Sequence, residues 1–581
     1  MKQYPFRRLM FEPTLAPAFL GRAENNLRSK RHWRNVRGTR RACRSIVALT
    51  ILLLMTSTVR GQTTREIVDD QLLINGKPFP IRGACGTDFM ETAAAAGANA
   101  VRTWSTGNAL AVLDKADSLG LKVMLGIWLP NGNTSYADPE RFERRVAGVT
   151  EVVRQCKDHP ALLMWGIGNE LNDGNDGPDL WRCVGAISKA IHQIGPNQLT
   201  TTVLINAPPE TIVQVKQFAP DLDLLCANTY HGAIGSSIRN LDEHWGKPFL
   251  FSEWGTAGPW SVPRTSWDAR IEPMPTAKVK GLRSDYLEMQ AAEKCLGSFV
   301  FTWDVFQNVT HTWHSIVLDS GQLTPQADVM QSLWTGTFPD NRAPMIGSLK
   351  INNRTDPNCR INAGESFIAS VDVSDPDGDP ITCQWFLYDG KAKIAGPFEG
   401  QTKISLTAPA RRGLEYRVFC CASDGKGRAS AANRPFMTVV ENSPLVINGD
   451  FETGDRNGWN AWNNEIVASD SKSGTHAMRI KGGGGSARQL ITGLSPDTAY
   501  RAQLWAKYHA TEYPLNFCIK DYGGEIIEKQ IGSPEYRMES LKFKTGPDSE
   551  NATISIWKYR GPAAYIDDVT CVVCPKDGGG E

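Results

Sequence analysis

The chain has 581 residues, which is too many for one hydrophobic core, and at roughly 150 residues per domain it predicts three or four folded units. The composition is that of an ordinary globular protein, but the formal net charge of +1 hides an uneven distribution. Residues 1–44 carry 12 Lys and Arg against Glu12 and Glu24, and the remainder is acidic, which argues against a nucleic-acid-binding protein.

The first recognisable segment follows this basic stretch. Residues 45–59 read SIVALTILLLMTSTV and contain an apolar core that is short for a membrane-spanning helix. We therefore expect a secretory signal within residues 44–61, with an uncleaved anchor as the alternative. Residues 1–61 are predicted to be a basic leader and signal, and the protein to be secreted, periplasmic or attached to the cell surface.

Residues 62–338 alternate short apolar runs with longer amphipathic segments, which indicates repeated strand-helix units around a parallel sheet. The predicted strands are residues 80–86, 100–104, 122–129, 162–169, 199–204, 224–230, 248–255 and 297–306. Eight such units match the size of a closed (β/α)8 barrel, so we predict a TIM barrel for this part of the chain.

Two all-β domains are predicted after the barrel. Residues 339–442 contain short alternating strands and the turn sequence DPDGDP at 375–380, which favours an immunoglobulin-like or PKD-like sandwich. Cys383 with Cys420 or Cys421 is a candidate disulfide there, and no cysteine spacing resembles a zinc site. Residues 443–581 are predicted to form a jelly-roll domain with a frayed tail.

Two glutamates lie at the carboxyl ends of predicted barrel strands, where active sites of this fold gather. Glu170 follows the fourth strand, and Glu253 lies near the end of the seventh. Glycoside hydrolysis requires such a pair, because one carboxyl group protonates the leaving oxygen while the other attacks the anomeric carbon. Desolvation beside Trp165 would raise the pKa of Glu170, so we predict Glu170 as the acid and base and Glu253 as the nucleophile.

Other strand ends carry residues of matching chemistry. Arg102 closes strand two and is predicted to orient Glu253. Tyr230 and His231 end strand six, and the tyrosine hydroxyl is the stronger candidate for a hydrogen bond to the nucleophile. His231 is a second candidate for substrate binding or support, with an ordinary loop histidine as the alternative. Tryptophan faces stack on sugar rings, although a single strand-end tryptophan is more often a packing residue. The candidate sugar-stacking residues are Trp128, Trp254 and Trp303, with Trp104 at a further strand end.

In this order the motifs resemble the catalytic barrel of glycoside hydrolase clan A, nearest to family 2, with family 5 close behind. The matching segments are LLINGKPFPIRG (72–83), VRTW (101–104), LLMWGIGNE (162–170), ANTYHG (227–232), FLFSEWG (249–255) and SFVFTWD (298–304). The resemblance implies a retaining mechanism in which Asn169 binds the sugar 2-hydroxyl while Tyr230 and Arg102 support Glu253. We expect no N-terminal sandwich domains of the family 2 type before this barrel, which leaves open whether the site is a pocket or a cleft.

The C-terminal domain resembles a jelly-roll carbohydrate-binding module, with NGDFE (448–452) and YIDDV (565–569) at its two ends. The resemblance makes Glu452 and Asp567 candidate ligands of a structural calcium ion, with ordinary turn residues as the alternative. The aromatic residues that could form a sugar-stacking surface are Trp459, Trp462, Trp505, Tyr508 and Trp557, of which at least two are expected to be core residues.

The sequence therefore predicts an exported, retaining β-glycoside hydrolase that acts on poly- or oligosaccharides. No cofactor is expected for catalysis, and no nucleic-acid or obligate protein partner is evident. Two alternatives remain open. One is a β-glycan transglycosylase that uses the same glutamates, and the other is a non-catalytic carbohydrate-binding or adhesion protein.

Overall fold

The computed structural model describes residues 63–131, 136–174, 177–265, 269–410, 415–439, 445–509 and 512–574. The predicted leader and signal segment lies outside these described residues. Residues 64–581 belong to one unit, in which the barrel and both β-domains follow one another. Within the described ranges, no helix has the length and apolar character needed to cross a bilayer.

The barrel contains eight parallel strands that pair in chain order and close between the last and the first. A small antiparallel sheet precedes it, formed by β1 (Arg65–Val68), β2 (Gln71–Ile74) and β3 (Lys77–Pro78). The barrel strands are β4 (Ile81–Cys85), β5 (Ala100–Arg102), β6 (Lys122–Ile127), β7 (Leu162–Ile167), β8 (Thr200–Ile205), β9 (Leu225–Asn228), β10 (Phe249–Trp254) and β11 (Cys295–Val300). The predicted (β/α)8 barrel is therefore confirmed.

One helix follows each barrel strand and covers the outer face of the sheet. The helices are α1 (Met90–Ala95), α2 (Ala109–Ser118), α3 (Pro139–Cys156), α4 (Pro178–Ile194), α5 (Pro209–Phe218), α6 (Ile234–Asn240), α7 (Pro275–Gln290) and α8 (Pro325–Thr335), and a π-helical turn, Leu241–Trp245, continues α6. Five of them begin with proline. Proline has no backbone N–H, but the first N–H groups of a helix have no partner within the helix, so no hydrogen bond is lost. Because helices cover one face and side chains fill the other, β7 is buried at every residue.

The eighth strand is shorter than predicted. It ends at Val300, whereas the apolar run predicts a strand as far as residue 306. Beyond Val300 the backbone turns into its own loop, where the Thr302 N–H donates to the His314 carbonyl at 3.1 Å and the Ile316 N–H donates to the Thr302 carbonyl at 3.0 Å. The loop after β11 therefore folds back over the carboxyl end of the barrel.

The middle domain is a two-sheet sandwich, as predicted. Its strands are β12 (Met345–Ile351), β13 (Arg360–Asn362), β14 (Ser366–Ser374), β15 (Thr382–Asp389), β16 (Ala392–Gly400), β17 (Lys403–Thr407), β18 (Glu415–Ser423) and β19 (Ala429–Val439). One sheet has the order β12-β14-β17 and the other β13-β19-β18-β15-β16. The candidate disulfide is not formed, because Cys383 and Cys420 lie on the neighbouring strands β15 and β18 as free thiols, and Cys421 is free as well.

The C-terminal domain consists of two five-stranded antiparallel sheets that enclose an apolar core. Its strands are β20 (Asn460–Trp462), β21 (Asn464–Val467), β22 (Ala477–Ile480), β23 (Gly485–Thr492), β24 (Ala499–Tyr508), β25 (Leu515–Lys520), β26 (Ile527–Ile531), β27 (Arg537–Lys544), β28 (Asn551–Lys558) and β29 (Ala564–Val573). The sheet orders are β20-β23-β28-β25-β26 and β21-β22-β29-β24-β27. Both predicted all-β domains are thus present.

Candidate active site

Glu170 lies where the fourth barrel strand turns out of the sheet. Gly168 has a φ of +77°, and a Cβ added there would lie 2.4 Å from the Leu171 side chain, so the tight turn requires glycine. Glu170 itself has a φ of +53°, a left-handed conformation that non-glycine residues rarely adopt and that is common at functional sites. The Asn131 side chain holds this turn by donating to the Glu170 carbonyl at 3.1 Å.

Glu253 is buried at the end of the seventh strand and accepts three hydrogen bonds. Its Oε1 accepts from Arg102 Nη1 at 2.8 Å and from Trp104 Nε1 at 2.7 Å, and its Oε2 accepts from the Tyr230 hydroxyl at 3.0 Å. One donor is a cation and all three are fixed by the barrel, so the Glu253 carboxyl group is held in one orientation with a positive charge against it.

Arg102 connects the two strand ends that carry the glutamates. Its buried guanidinium donates to Glu253, to the Ser252 carbonyl at 2.7 Å and to Asn169 Oδ1 at 2.5 Å. Because Asn169 Oδ1 accepts from Arg102, the orientation of the side-chain amide is fixed. Its Nδ2 therefore does not face Arg102 and is available to donate to another group.

Asn228, at the end of strand six, connects the two glutamates from the other side. Its Nδ2 donates to Glu170 Oε1 at 2.9 Å, and its Oδ1 accepts from Arg102 Nη1 at 3.3 Å and from the Ser252 hydroxyl at 2.8 Å. Burial and then the negative charge of Glu253 raise the pKa of Glu170 to about 7, although Asn228 and Arg102 oppose this shift. At neutral pH a large fraction of Glu170 therefore carries a proton, as a general acid requires.

Tyr230 remains a hydrogen-bond donor over the whole physiological pH range. Burial and then the charges of Glu253 and Glu170 raise the pKa of its phenol well above the usual value. Its ring packs edge-on against Trp260 at 5.2 Å between centroids and against Phe301 at 6.0 Å, and it lies 5.4 Å from His314. Burial lowers the pKa of His314 to about 3, so this ring is neutral.

Three of the predicted site residues lie away from the two carboxylates. His231 directs Nδ1 to Asp285 of α7 at 2.9 Å instead of supporting Glu253. Trp254 is fully buried and faces Tyr286 of α7, and Trp303 is buried against Trp334 of α8 with a centroid distance of 5.4 Å. The predictions that Trp254 and Trp303 offer a sugar-stacking face, and that His231 supports the nucleophile, were therefore wrong.

Two tryptophans do expose their rings near the carboxyl end of the barrel. Trp128, directly after β6, is 58% exposed, and Trp260, in the loop after β10, is 48% exposed. β6 and β10 are the third and seventh barrel strands, which stand opposite one another in an eight-stranded barrel. The two rings therefore mark opposite sides of the barrel mouth, and Trp260 contacts Tyr230 directly.

Sequence reasoning did not identify the bonds made by Trp104 and Asn228, or the position of Trp260. The bond from Trp104 could have been predicted, because residues two apart on a strand share a face. Arg102 was predicted to contact Glu253, so Trp104 should face the same side. For Trp260 there was none, since it lies in a long loop outside any periodic segment.

Glu452 and Asp567, the predicted calcium ligands, both accept hydrogen bonds from one loop, and calcium binding there stays a prediction. Glu452 accepts from the backbone N–H groups of Thr475 and His476 at 2.8 and 2.7 Å. Asp567 accepts from those of Lys472 and Ser473 at 2.7 and 3.1 Å. The two carboxylates thus hold the 472–476 loop from its two ends. Among the described residues the acidic group with metal-ligand spacing is Asp375, Asp377 and Asp379, within the DPDGDP turn.

Four of the five aromatic residues predicted for the C-terminal surface separate into two groups, and the fifth, Trp505, is half-buried with Lys472 Nζ 4.4 Å from the centre of its ring. Trp459 and Tyr508 are core residues, in line with the expectation that some of the set would be buried. Trp462 is 57% exposed and Trp557 is 37% exposed. Both pair with Ser486 of β23 from its two sides, so they lie in one cross-strand row on the same face of the sheet.

The fold and the paired carboxylates together resemble the catalytic barrel of a glycoside hydrolase. Residues 65–259 match the family description "Glycosyl hydrolases family 2, TIM barrel domain", and residues 443–563 match "Carbohydrate binding domain". The resemblance to a clan A glycoside hydrolase with a C-terminal carbohydrate-binding module is thereby confirmed.

Similar proteins cover only parts of the chain. A keratan-sulfate endo-1,4-beta-galactosidase of Sphingobacterium multivorum is 34% identical over 149 residues, covering 24% of this chain and 35% of that protein. The beta-glucuronidase of Homo sapiens is 24% identical over 234 residues, covering 34% of each. The chain thus spans about a third of the length of these curated relatives. The match to a solved beta-glucuronidase of Bacteroides uniformis, at 15% identity, covers 88% of this chain and 68% of that chain with a TM-score of 0.38.

Proposed function

We propose that this protein is an exported, retaining β-glycoside hydrolase that acts on poly- or oligosaccharides by double displacement. The observation that carries the proposal is the contrast between two linked carboxyl groups. Glu253 accepts three hydrogen bonds, one of them from Arg102, whereas the pKa of Glu170 is raised to about 7. One group is thus prepared to attack and the other to donate a proton.

In the first step, a Glu253 carboxylate oxygen forms a bond to the anomeric carbon while the bond from that carbon to the leaving oxygen breaks. The proton of Glu170 passes to the leaving oxygen. Arg102, Trp104 and Tyr230 hold Glu253 in one orientation, which reduces the entropy lost in reaching the transition state. Asn169, whose Oδ1 accepts from Arg102, is proposed to donate from Nδ2 to the sugar 2-hydroxyl.

In the second step, the now ionised Glu170 removes a proton from a water molecule. The water oxygen forms a bond to the anomeric carbon, and the bond between that carbon and Glu253 breaks. Two displacements on the same carbon restore the original anomeric configuration. Loss of the negative charge of Glu253 during the intermediate lowers the pKa of Glu170, which suits its change from acid to base.

The substrate is proposed to be a glycan chain with a β-linked galactosyl or uronosyl residue at the cleavage site. The names of the partial relatives supply these two sugars, a β-galactoside and a β-glucuronide. Trp128 and Trp260, exposed on opposite sides of the barrel mouth, would stack on sugar units on either side of the cleaved bond. This placement favours an open cleft over a closed pocket.

The C-terminal domain is proposed to hold the enzyme on its polysaccharide. Trp462 and Trp557 lie two strands apart in one row, which places their backbones about 10 Å apart. Export is proposed from the basic leader and the apolar segment at residues 45–59. N-terminal sequencing of the exported protein should show a mature start near residue 62. Retention of residues 1–44 would contradict cleavage of the signal, and absence of the protein from the medium, the periplasm and the cell surface would contradict export.

The proposed function is tested with the glutamate variants and aryl β-galactosides and β-glucuronides. Glu253→Ala and Glu170→Ala should each lower kcat by at least about 10³-fold, because each removes a group that reacts. Azide should restore turnover of Glu253→Ala as a glycosyl azide of inverted configuration, and it should give the Glu170→Ala variant a product of retained configuration. Undiminished activity in either variant would refute the assignment.

A further inference from the structure

A buried cluster of polar residues lies between the barrel and the middle sandwich, away from the two catalytic glutamates. At its centre Glu272 is 2% exposed and pairs with Lys278, with 2.5 Å between Oε1 and Nζ. Thr310 and Thr312 donate their hydroxyls to Glu272, and Asn433 of the sandwich donates from Nδ2 to Oε2 at 2.5 Å. These five residues, Glu272, Lys278, Thr310, Thr312 and Asn433, are called the interdomain cluster.

The interdomain cluster joins parts of the chain that are distant in sequence. Glu272 ends the loop after β10, Lys278 lies in α7, and Thr310 and Thr312 belong to the loop after β11. Asn433 lies in β19 of the sandwich, and its Oδ1 accepts from Arg417 Nη1 at 2.9 Å. Burial opposes ionisation of Glu272, but Lys278 and the hydrogen bonds hold its pKa below the usual value, so it stays charged.

The sandwich holds the same two loops by further contacts. Arg417 Nη2 donates to the Arg270 carbonyl in the loop after β10 at 2.8 Å. In the loop after β11, the His311 ring stacks on Tyr388 and Phe419 of the sandwich at centroid distances of 5.3 and 5.1 Å. The two loops are also joined to each other, because Trp313 Nε1 donates to the Ala257 carbonyl at 2.9 Å.

Both loops reach the nucleophile through the ring of Tyr230. The loop after β10 carries Trp260 and the loop after β11 carries His314, and both rings pack against Tyr230. The Tyr230 hydroxyl in turn donates to Glu253 at 3.0 Å. A continuous set of contacts therefore runs from Asn433 through Glu272 and the two loops to the carboxylate of Glu253.

We propose that the middle sandwich is a working part of the active site, and that Asn433 is a positioning residue which sets the two loops that hold Tyr230 against Glu253. The proposal rests on the proposed function for its catalytic consequence. A buried, charged carboxylate with several fixed partners has one favourable arrangement, so it holds its loops more rigidly than apolar packing alone. The sandwich is thus more than a spacer between the barrel and the carbohydrate-binding module.

The test compares Asn433→Ala with a matched sandwich variant, Leu406→Ala. Leu406 is a core residue on β17, in the other sheet of the sandwich, and it belongs to no contact described above. Both variants are expected to lower Tm. Asn433→Ala should lower kcat on an aryl β-glycoside roughly tenfold with little change in KM, because displacement of a reacting group slows the bound complex. Leu406→Ala should keep wild-type kcat below its unfolding temperature.

Hydrogen-deuterium exchange supplies a measurement that needs no substrate. Residues 256–265 and 304–316 should exchange faster in Asn433→Ala and at the wild-type rate in Leu406→Ala. A second pair covers the case in which Asn433→Ala does not fold. Thr310→Val loses the hydroxyl that binds Glu272, so it should also show a lower kcat and faster exchange in the two loops. Thr310→Ser keeps the hydroxyl, so its kcat and exchange rates should stay at the wild-type values.

Wild-type exchange in the two loops of Asn433→Ala would overturn the proposal, and so would faster exchange with unchanged kcat. An equal loss of kcat in Leu406→Ala would also overturn it, because a general loss of sandwich stability would then explain the result. If the wild-type protein hydrolyses neither aryl glycosides nor β-linked glycan chains, the proposed function fails, while the exchange rates still decide whether Asn433 positions the loops.

Discussion

At the scale of single residues, side-chain alternation along the barrel strands decides which residues can act. Arg102 and Trp104 are two apart and both donate to Glu253. The neighbours of inward-facing residues point to the helix layer instead, as Trp254 does beside Glu253 and His231 beside Tyr230. The corrections for Trp254 and His231 both follow from this alternation. The sequence alone could have predicted them once Glu253 was assigned to the barrel interior.

The raised pKa of Glu170 predicts the pH dependence of activity. Its value of about 7 places the alkaline limb of kcat/KM near neutral pH, because the ionised form cannot protonate the leaving oxygen. Asn228 stabilises the ionised form, so Asn228→Ala should move this limb to higher pH. The measurement is a pH profile of kcat/KM for both proteins, and a limb that stays in place would contradict the prediction.

The same pKa predicts an effect on stability. The folded protein holds the Glu170 proton at pH values where the unfolded chain has released it, so raising the pH from about 4.5 through 7 lowers stability. Glu170→Gln removes this loss and should stabilise the protein by about 1–3 kcal/mol at pH 8 and by nothing at pH 4. Thermal unfolding at the two pH values measures the difference, and equal Tm shifts would contradict a stability that falls with rising pH.

Tyr230 should contribute to the rate more than to binding. Tyr230→Phe removes a fixed donor from Glu253 and should lower kcat by about 10- to 100-fold with KM nearly unchanged. The matched control is Tyr500→Phe, which also loses a buried tyrosine hydroxyl, bonded to the Ser495 N–H in the C-terminal domain. Steady-state kinetics give kcat and KM for both variants. An equal loss of kcat in the two would show that the hydrogen bond from Tyr230 to Glu253 makes no particular contribution to the rate.

At the scale of elements, the positions of loops decide which tryptophans face solvent. Trp128 and Trp260 stand on loops after opposite strands, and Trp303 turns back onto Trp334 of α8. The strand pattern predicted the eight barrel strands, because strand positions depend on local periodicity, but it extended the eighth strand to residue 306 when it ends at Val300. It could not predict loop paths, which depend on contacts such as those between Trp313 and Ala257.

Exposed and buried tryptophans should therefore respond differently to truncation. Trp128→Ala should raise KM for a polysaccharide substrate about three- to tenfold, leave KM for an aryl monoglycoside unchanged, and leave Tm near the wild-type value. Trp303→Ala removes a core ring and should cost about 3–5 kcal/mol of stability. Kinetics on both substrates and thermal unfolding separate the two effects, and equal KM changes on the two substrates would argue against a sugar-stacking role for Trp128.

At the scale of the whole molecule, the three domains are linked by more than chain connectivity. The barrel and sandwich share the interdomain cluster, and Arg360 of the sandwich pairs with Glu550 of the C-terminal domain at 2.9 Å. The sequence predicted the order of domains but none of these links. Glu272 and Asn433 are 161 residues apart, and each alone resembles an ordinary polar residue.

The carbohydrate-binding module should act independently of the chemistry. Trp462→Ala and Trp557→Ala should each weaken binding to an insoluble polysaccharide about three- to tenfold and leave kcat on aryl glycosides unchanged. Sedimentation with the polysaccharide measures the first effect. Unaltered binding in both variants would show that Trp462 and Trp557 do not form the sugar-binding surface.

The most direct test of the account is to trap the covalent intermediate. A 2-deoxy-2-fluoro glycoside with a good leaving group, made from the sugar that the wild-type protein hydrolyses, slows the second step so that the glycosyl-enzyme accumulates. Peptide mapping by mass spectrometry should find one glycosyl group per protein, attached to Glu253 in the segment FLFSEWG. A label on any other residue, or turnover with inversion and no covalent adduct, would contradict the central claim.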